Sequence, residues 1–196
     1  MKIGPLEAIV SGNLKSKKLI IFFHGYGANS EDLFPLSQTT ATMSEHTWIF
    51  PEAPIDLGSF AGFRSKAWFN INRDLYEECL IKKDFSPLKK RTPEGLEEAS
   101  KLVDLMIKSL GVDPKSIILG GFSQGAMLAL DYILRYEFSP ASICLLSTSL
   151  ISYNRWEKQV KKIQVPFFLS HGKQDATLPY ILSTELNQML KSARRT

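Results

Sequence analysis

Residues 121–125, with the sequence Gly-Phe-Ser-Gln-Gly, are the stretch that decides the fold of this chain. The apolar run 116–120 precedes them and the run 126–130 follows, so the pattern predicts a strand, a tight turn and a helix. Such a turn strains its central residue and lifts that side chain clear of the sheet, so we interpret Ser123 as a nucleophile. The alternative is that Ser123 only caps the helix, because serine is a favoured N-cap residue.

A second glycine-containing loop follows another predicted strand, at residues 18–23. Its sequence, His24-Gly25-Tyr26-Gly27, lets the backbone pass close to a bound carbonyl group. The backbone N–H groups of Tyr26 and Gln124 are therefore candidate donors to an oxyanion. We expect His24 to orient this loop by hydrogen bonding rather than to take part in chemistry.

An acidic residue follows the last predicted strand, at residues 166–170. Asp175 comes after Ser123 in the chain, and an acid in this order can hold an imidazole in one tautomer and stabilise its cation. The alternative is that Asp175 is the N-cap of the last predicted helix, since aspartate often occupies that position.

Alternating elements predict an α/β fold with a mostly parallel sheet and helices on both of its faces. The predicted strands are 18–23, 47–50, 116–119, 141–146 and 166–170, with a weaker one at 7–10, and the predicted helices are 31–44, 92–111, 124–136 and 180–190. Thr92 and Pro93 are the expected start of the second helix. We expect residues 54–90 to be irregular and, from their aromatic content, functional.

Length and composition point to one domain spanning residues 1–196. The net charge of +4 comes with scattered lysine clusters that no stacking aromatic residues accompany, so nucleic-acid binding is not expected. Two cysteines indicate neither a disulfide framework nor a metal site. Residues 1–11 lack the apolar core of a signal peptide and no run is long enough to span a membrane, so we expect a cytoplasmic protein.

These motifs together resemble the carboxylesterase and acyl-protein thioesterase family of α/β-hydrolases. Beyond the segments already described, the resemblance rests on residues 50–54 (Phe-Pro-Glu-Ala-Pro), on residues 67–69 (Ala-Trp-Phe) and on the loop 171–179. It implies a serine esterase that hydrolyses carboxylic esters or thioesters without a metal or organic cofactor. Small esters, lysophospholipids and acylated proteins are the implied substrates, and Trp68 and Phe69 are expected to bind them. The alternative is that these rings pack on the core.

The sequence departs from the family pattern at the catalytic histidine, which the resemblance places after Asp175. The three histidines, at positions 24, 46 and 171, all precede Asp175, and the sequence through Thr196 holds none after it. We therefore expect the final strand and helix of the fold to be missing here and the histidine to lie beyond Thr196. There are two alternatives: the gene is shortened and Ser123 lacks its base, or one of the three histidines takes the place of the missing one.

Two further expectations follow from that departure. A sheet edge bared by a missing strand favours association, so a homodimer is expected if the shortening is real. A catalytically impaired hydrolase that acts as a binding protein is the alternative to an active esterase. A dienelactone-type hydrolase is disfavoured, because its nucleophile at this turn is usually cysteine.

Overall fold

A computed structural model describes residues 1–16, 18–39, 45–60 and 62–193. Its main sheet has seven strands in the order β1-β2-β4-β3-β7-β8-β9, and β5 and β6 form a separate hairpin. The strands are β1 (Lys2–Ile3), β2 (Leu6–Ser11), β3 (Leu19–Phe23), β4 (Thr47–Pro51), β5 (Ile55–Phe60), β6 (Phe63–Ala67), β7 (Ile117–Phe122), β8 (Ser142–Leu146) and β9 (Phe167–Ser170).

The five strands from β4 to β9 in this order are parallel, and β1 and β2 are antiparallel additions. This arrangement confirms the predicted mostly parallel α/β sheet and the weak strand predicted at residues 7–10. Strand β9 lies at one edge of the sheet, and no strand follows it within the described residues.

Seven α-helices accompany the strands in the described part of the chain. They are α1 (Leu36–Thr39), α2 (Arg73–Lys82), α3 (Ser86–Lys90), α4 (Leu96–Leu110), α5 (Gln124–Tyr136), α6 (Tyr153–Gln159) and α7 (Tyr180–Ser192). The predicted helix 124–136 is confirmed at both ends, and the predicted helix 180–190 extends two residues further. Helix α6 was not predicted from the sequence.

Two predicted helix starts are wrong. Helix α4 begins at Leu96 rather than near Thr92, because Gly95 takes the N-cap position with φ 86°, a backbone that glycine adopts without strain. Within the predicted helix 31–44, residues 31–35 form turns and helix α1 follows Pro35, whose missing N–H suits the start of a helix. Residues 40–44 of that prediction lie outside the described residues.

The prediction of an irregular segment over residues 54–90 is also wrong. This stretch folds into the β5–β6 hairpin and the helices α2 and α3, and Ala61 within it lies outside the described residues. Helix α2 escaped notice because its apolar residues are few and one of them, Ile81, lies exposed on the polar side, so the periodic signal in the sequence is weak. Cys79 is its only buried residue.

Strand β3 separates two apolar layers. Its odd-numbered residues join the larger layer, to which α4, α5 and α7 contribute, and its even-numbered residues pack with Trp48 and Phe50 in the smaller layer. Among the described residues, the smaller layer is covered by Leu33, Phe34 and the start of the short α1. The long helices α4, α5 and α7 therefore share one face of the sheet, and helical cover of the second face is limited to α1 in the described chain.

The turn from β7 into α5 requires glycine on both sides of Ser123. A Cβ atom on Gly121 would lie 2.5 Å from the carbonyl carbon of Gly125, and one on Gly125 would lie 2.2 Å from the carbonyl oxygen of Phe23. Helix α5 thus approaches the backbone of β3 more closely than any side chain would allow. The approach fixes where the end of β7 stands relative to the end of β3.

A buried carboxylate ties three helices together behind the sheet. Asp131 on α5 is fully buried and accepts hydrogen bonds from Ser100 Oγ (2.8 Å), Trp156 Nε1 (3.0 Å) and Arg135 Nε (3.1 Å). Arg155 also donates to it. A buried charge is tolerated only when it is paired and hydrogen-bonded, and here these donors meet that need.

None of the helices in the described residues is both long and apolar enough to cross a membrane.

Replacing Gly125 with alanine is expected to destabilise the fold. The new methyl group would meet backbone atoms of Phe23 and His24, which cannot rotate away, so we expect a loss of about 1–3 kcal/mol or more in the free energy of unfolding. Urea titration measures this loss. Gly172→Ala is the matched control, because its Cβ would meet nothing within 4 Å. Equal stability of the two variants would contradict the close approach.

Replacing Asp131 with alanine is expected to cost about 3–5 kcal/mol, because it leaves two partly buried arginines and the buried donors of Ser100 and Trp156 without their carboxylate. Glu137→Ala removes a carboxylate that pairs with Lys162 at the surface and should change stability little. Urea titration of both variants measures the difference. A loss in Asp131→Ala no larger than in Glu137→Ala would show that the network contributes nothing.

Candidate active site

Ser123 lies at the apex of the turn between β7 and α5. Its backbone has φ 53° and ψ −116°, a region that residues with a side chain rarely occupy. Its hydroxyl makes no capping hydrogen bond to the helix, although the residue holds the N-cap position. The side chain is half-buried and faces a cavity, so the strain presents a hydroxyl to open space.

That cavity has a volume of about 540 Å³ and lies at the carboxyl ends of the parallel strands. Ser123, Tyr26, Gln124, Phe69 and Asp175 all contribute to its wall. Ligands of open parallel sheets bind at this edge. Four of the predicted site residues, Ser123, Tyr26, Gln124 and Asp175, therefore meet in one cavity, although they come from three separate loops.

Two residues that line the cavity, Tyr26 and Gln124, have a backbone N–H without an acceptor in the described chain. Among the described residues, no carbonyl oxygen or side chain accepts from the N–H groups of Tyr26 or Gln124. The loop that carries Tyr26 lies against the turn, since a Cβ atom on Gly25 would stand 3.5 Å from Ser123 Cβ. Gln124 opens helix α5, so its N–H lies at the positive end of that helix. Both amides are available to a bound negative oxygen.

The side chain of Gln124 fastens the turn to the segment after the β5–β6 hairpin. Its Oε1 accepts from Trp68 N and its Nε2 donates to Phe69 O, both at 2.8 Å. The side chain is buried, so these two bonds satisfy its amide group. The glutamine of the motif thus has a positioning function that its backbone position alone did not predict.

The two aromatic residues predicted to bind substrate lie in different places. Phe69 contributes to the cavity wall. Trp68 is buried in the core and absent from that wall, and its Nε1 donates to His24 O at 2.9 Å. Trp68 therefore matches the alternative in which the ring packs on the core and supports the loop that carries Tyr26.

His24 is buried beneath the same loop. Its Nδ1 lies 2.8 Å from Gly25 O, and Ala53 N donates to its Nε2 at 3.2 Å. Since the carbonyl accepts and the amide donates, the ring is neutral with its proton on Nδ1. Burial lowers the pKa of His24, against the opposing effects of the Gly25 carbonyl, Glu52 and Asp32. His24 thus orients the loop, as expected from the sequence.

Asp175 sits on the loop between β9 and α7. Its Oδ1 accepts from the N–H groups of Thr177 and Leu178, each at 2.8 Å, and its Oδ2 lies 3.3 Å from His171 Nε2. The N-cap position of α7 belongs to Pro179, so Asp175 stabilises the preceding turn rather than the helix start. One carboxylate oxygen is thereby fixed by the backbone of its own loop.

No histidine contributes to the cavity wall. The side chain of His171 is 1% exposed, with Nδ1 3.1 Å from Thr148 O and Nε2 3.0 Å from Leu178 O. His24 is similarly engaged by its loop, and His46 is also absent from the wall. Substitution of the expected histidine by one of these three has no support in this geometry.

Helices α2 and α3 supply cavity residues that sequence reasoning missed. Leu75 and Tyr76 come from α2 and Leu88 from α3. The sequence signal for the start of α2 was Asn72, because asparagine is a favoured N-cap residue. In the structure its Oδ1 accepts from Leu75 N at 2.8 Å. Within the part of the chain that the structure describes, no three histidine, cysteine or acidic side chains are grouped so as to hold a metal ion.

Comparison with known families agrees with this geometry. The family described as Phospholipase/Carboxylesterase matches residues 5–195. The chain belongs to this family. Its sheet and helices are accordingly those of an α/β-hydrolase fold.

Curated relatives of this phospholipase/carboxylesterase family member include two yeast proteins named acyl-protein thioesterase 1. The protein of Schizosaccharomyces pombe is 27% identical over 184 residues, which cover 91% of this chain and 77% of the relative. The protein of Kluyveromyces lactis is 29% identical over 190 residues, which cover 89% and 78%. The family member is thus similar to thioesterases along most of its length.

Solved structures support the fold of the family member. The esterase PE8 matches with a TM-score of 0.75 at 27% identity, over 95% of this chain and 84% of that one. SOBER1 of Arabidopsis thaliana matches with a TM-score of 0.68 at 21% identity, over 90% and 84%, and shows the shared fold alone.

The lowered pKa of His24 predicts how the stability of this phospholipase/carboxylesterase family member depends on pH. Above pH 6.5 the residue is neutral in both the folded and the unfolded chain. Below that value His24 binds a proton in the unfolded chain but stays neutral in the folded chain, so the free energy of unfolding falls as the pH falls. His24→Asn keeps a donor near Nδ1 but cannot titrate. Urea titrations at pH 7.5 and pH 5 should show a smaller loss of stability in the variant. An equal loss would contradict the burial of a neutral ring.

Proposed function

We propose that this protein is a serine carboxylesterase that hydrolyses carboxylic esters or thioesters through an acyl-enzyme. The observation that carries the proposal is the strained backbone of Ser123, with its hydroxyl on a cavity shared with two unpaired amides and a carboxylate. A conformation that costs about 1–3 kcal/mol persists only where the surrounding structure enforces it, and such residues concentrate at functional sites.

In the proposed reaction, Ser123 Oγ forms a bond to the acyl carbon while its proton passes to an imidazole. The N–H groups of Tyr26 and Gln124 stabilise the negative oxygen of the tetrahedral intermediate, an effect worth about 3–4 kcal/mol per donor in related sites. The bond to the leaving alcohol or thiol then breaks, and the leaving group takes the proton from the imidazole. Water repeats the sequence and releases the acid and Ser123.

Asp175 is proposed to orient that imidazole and to stabilise its cation. Its position in the wall of the cavity and the two amides that fix Oδ1 support this function. The imidazole is expected from a histidine C-terminal to Asp175, as in the family pattern, and the sequence through Thr196 contains none there. The reading frame after Thr196 tests this directly, because a Gly-His pair within a few dozen codons is expected.

The substrate is proposed to be an ester or thioester of a carboxylic acid, such as a small ester, a lysophospholipid or an acylated protein. The names of the yeast relatives and of esterase PE8 favour this class. The cavity supports it as well, since Leu75, Met127, Ile151 and Leu182 supply apolar surface beside the hydroxyl. Apolar walls with a few polar groups are typical of sites for small molecules.

Ser123→Ala is expected to abolish labelling by a fluorophosphonate probe, which requires an activated serine. Hydrolysis of nitrophenyl acetate should fall by about 10³-fold or more, as in other serine hydrolases that lose their nucleophile. Ser170→Ala is the matched control, because Ser170 is an exposed serine at the carboxyl end of β9 outside the cavity wall. It should label and hydrolyse like the parent. A folded parent that neither labels nor hydrolyses would instead favour a binding protein.

A further inference from the structure

Residues 71–93 leave the core and return to it at nearly the same place. Asn70 N donates to Glu94 O at 3.0 Å, which closes the base of this excursion. All of its residues are described, and Cys79 alone among them is buried. Phe85 also packs against the core from this segment. Segments with few buried residues have low local stability and open more readily than the rest of a chain.

This excursion forms one side of the cavity. Its residues Leu75, Tyr76 and Leu88 line the cavity. Leu178 and Leu182 line it as well; Leu178 belongs to the acid loop, residues 171–179, which carries Asp175, and Leu182 belongs to α7. An apolar chain bound beside Ser123 would therefore be covered by the excursion.

Two polar contacts cross from the excursion to the opposite side. The hydroxyl of Tyr76 on α2 donates to Thr177 O on the acid loop. Lys89 Nζ on α3 lies 2.8 Å from Glu185 Oε2 on α7, and both side chains are largely withdrawn from solvent. The contacts come from different helices and reach different elements, so α2 and α3 are each held by one of them. Two further bonds lie near the base of the excursion, where Ser152 N donates to Arg91 O and Ser152 Oγ donates to Thr92 Oγ1, each at 3.0 Å.

We propose that residues 71–93 are a lid over the acyl site and that Tyr76 and Lys89 fasten its two helices, so that together they determine which acyl chains are hydrolysed. The inference rests on the proposed function for its substrate. The closed lid supplies an apolar wall that a long acyl chain contacts and an acetyl group does not reach. Tyr76 is thus a specificity-determining residue, and Lys89 supports the same closure from a point remote from Asp175.

The environment of Tyr76 suits it to donate. Burial and the neighbouring Asp175 carboxylate raise its pKa, so the hydroxyl keeps its proton through the neutral range. Thr177 O accepts from it, while Thr177 N donates to Asp175. Thr177 therefore contacts both Tyr76 of the lid and the catalytic acid proposed here, Asp175.

The test compares Tyr76→Phe and Lys89→Met with the parent, using nitrophenyl acetate and nitrophenyl octanoate. Loss of one fastening should lower the ratio of kcat/KM for the octanoate to kcat/KM for the acetate about two- to tenfold, the effect of one lost hydrogen bond. Two controls remove the same groups elsewhere. Tyr153→Phe removes a hydroxyl bonded to Glu157 on α6, and Lys82→Met breaks a pair within α2.

Hydrogen exchange measures the lid without any substrate. Amides of residues 71–93 should exchange several-fold faster in Tyr76→Phe and Lys89→Met than in the parent or the two controls. Unchanged exchange in both variants would overturn the lid, whether or not the protein hydrolyses esters. A second result would also overturn the lid: kcat falls equally for both esters in Tyr76→Phe, while Lys89→Met behaves like the parent. Tyr76 would then act on the acid loop and not on the acyl chain. If the parent hydrolyses neither ester but the amides exchange faster in the variants, the proposed esterase activity is refuted and the proposed lid is supported.

Discussion

The structure depends on one close approach, that of helix α5 to the backbone of β3. The absence of a Cβ at Gly125 allows this approach, since a Cβ there would lie only 2.2 Å from Phe23 O. Because the helix is that close, the chain has few residues in which to turn from β7, and Ser123 is held at a positive φ. The cost of that strain is offset by the helix itself, since every residue from Gln124 to Leu134 is buried.

The same turn organises the rest of the site through hydrogen bonds. Gln124 holds the backbone of Trp68 and Phe69, and Trp68 in turn donates to His24 O beneath the loop that carries Tyr26. His24 then binds Gly25 O and Ala53 N. Loops that are far apart in sequence thus share one buried network, and Tyr26 and Gln124, which line the cavity, keep backbone N–H groups without an acceptor among the described residues. Buried networks of this kind are rigid because each broken bond leaves an unpaired polar group.

Sequence reasoning succeeded where the signal is local and apolar. Strands such as β3 and β7 are continuous apolar runs, and helix α5 follows directly from the turn, so their positions could be read from the pattern. It failed for α2, which is short and has Cys79 as its single buried residue, and for the cap of α4, where Gly95 displaced Thr92. Trp68 could not be separated from Phe69 by sequence, because neighbours in a loop can face the core and the cavity in turn.

The two sides of the cavity differ in how firmly they are held. On one side stand Ser123 and Gln124, held by a fully buried helix and by paired side chains. On the other stands the excursion 71–93, in which Cys79 is the only fully buried residue and whose helices are held by the contacts of Tyr76 and Lys89. Bond-making groups need fixed geometry, because small displacements of reacting atoms cost large factors in rate. A wall that contacts only a variable apolar chain has no such requirement. Weak fastening on that side therefore accommodates different acyl groups without disturbing the geometry around Ser123.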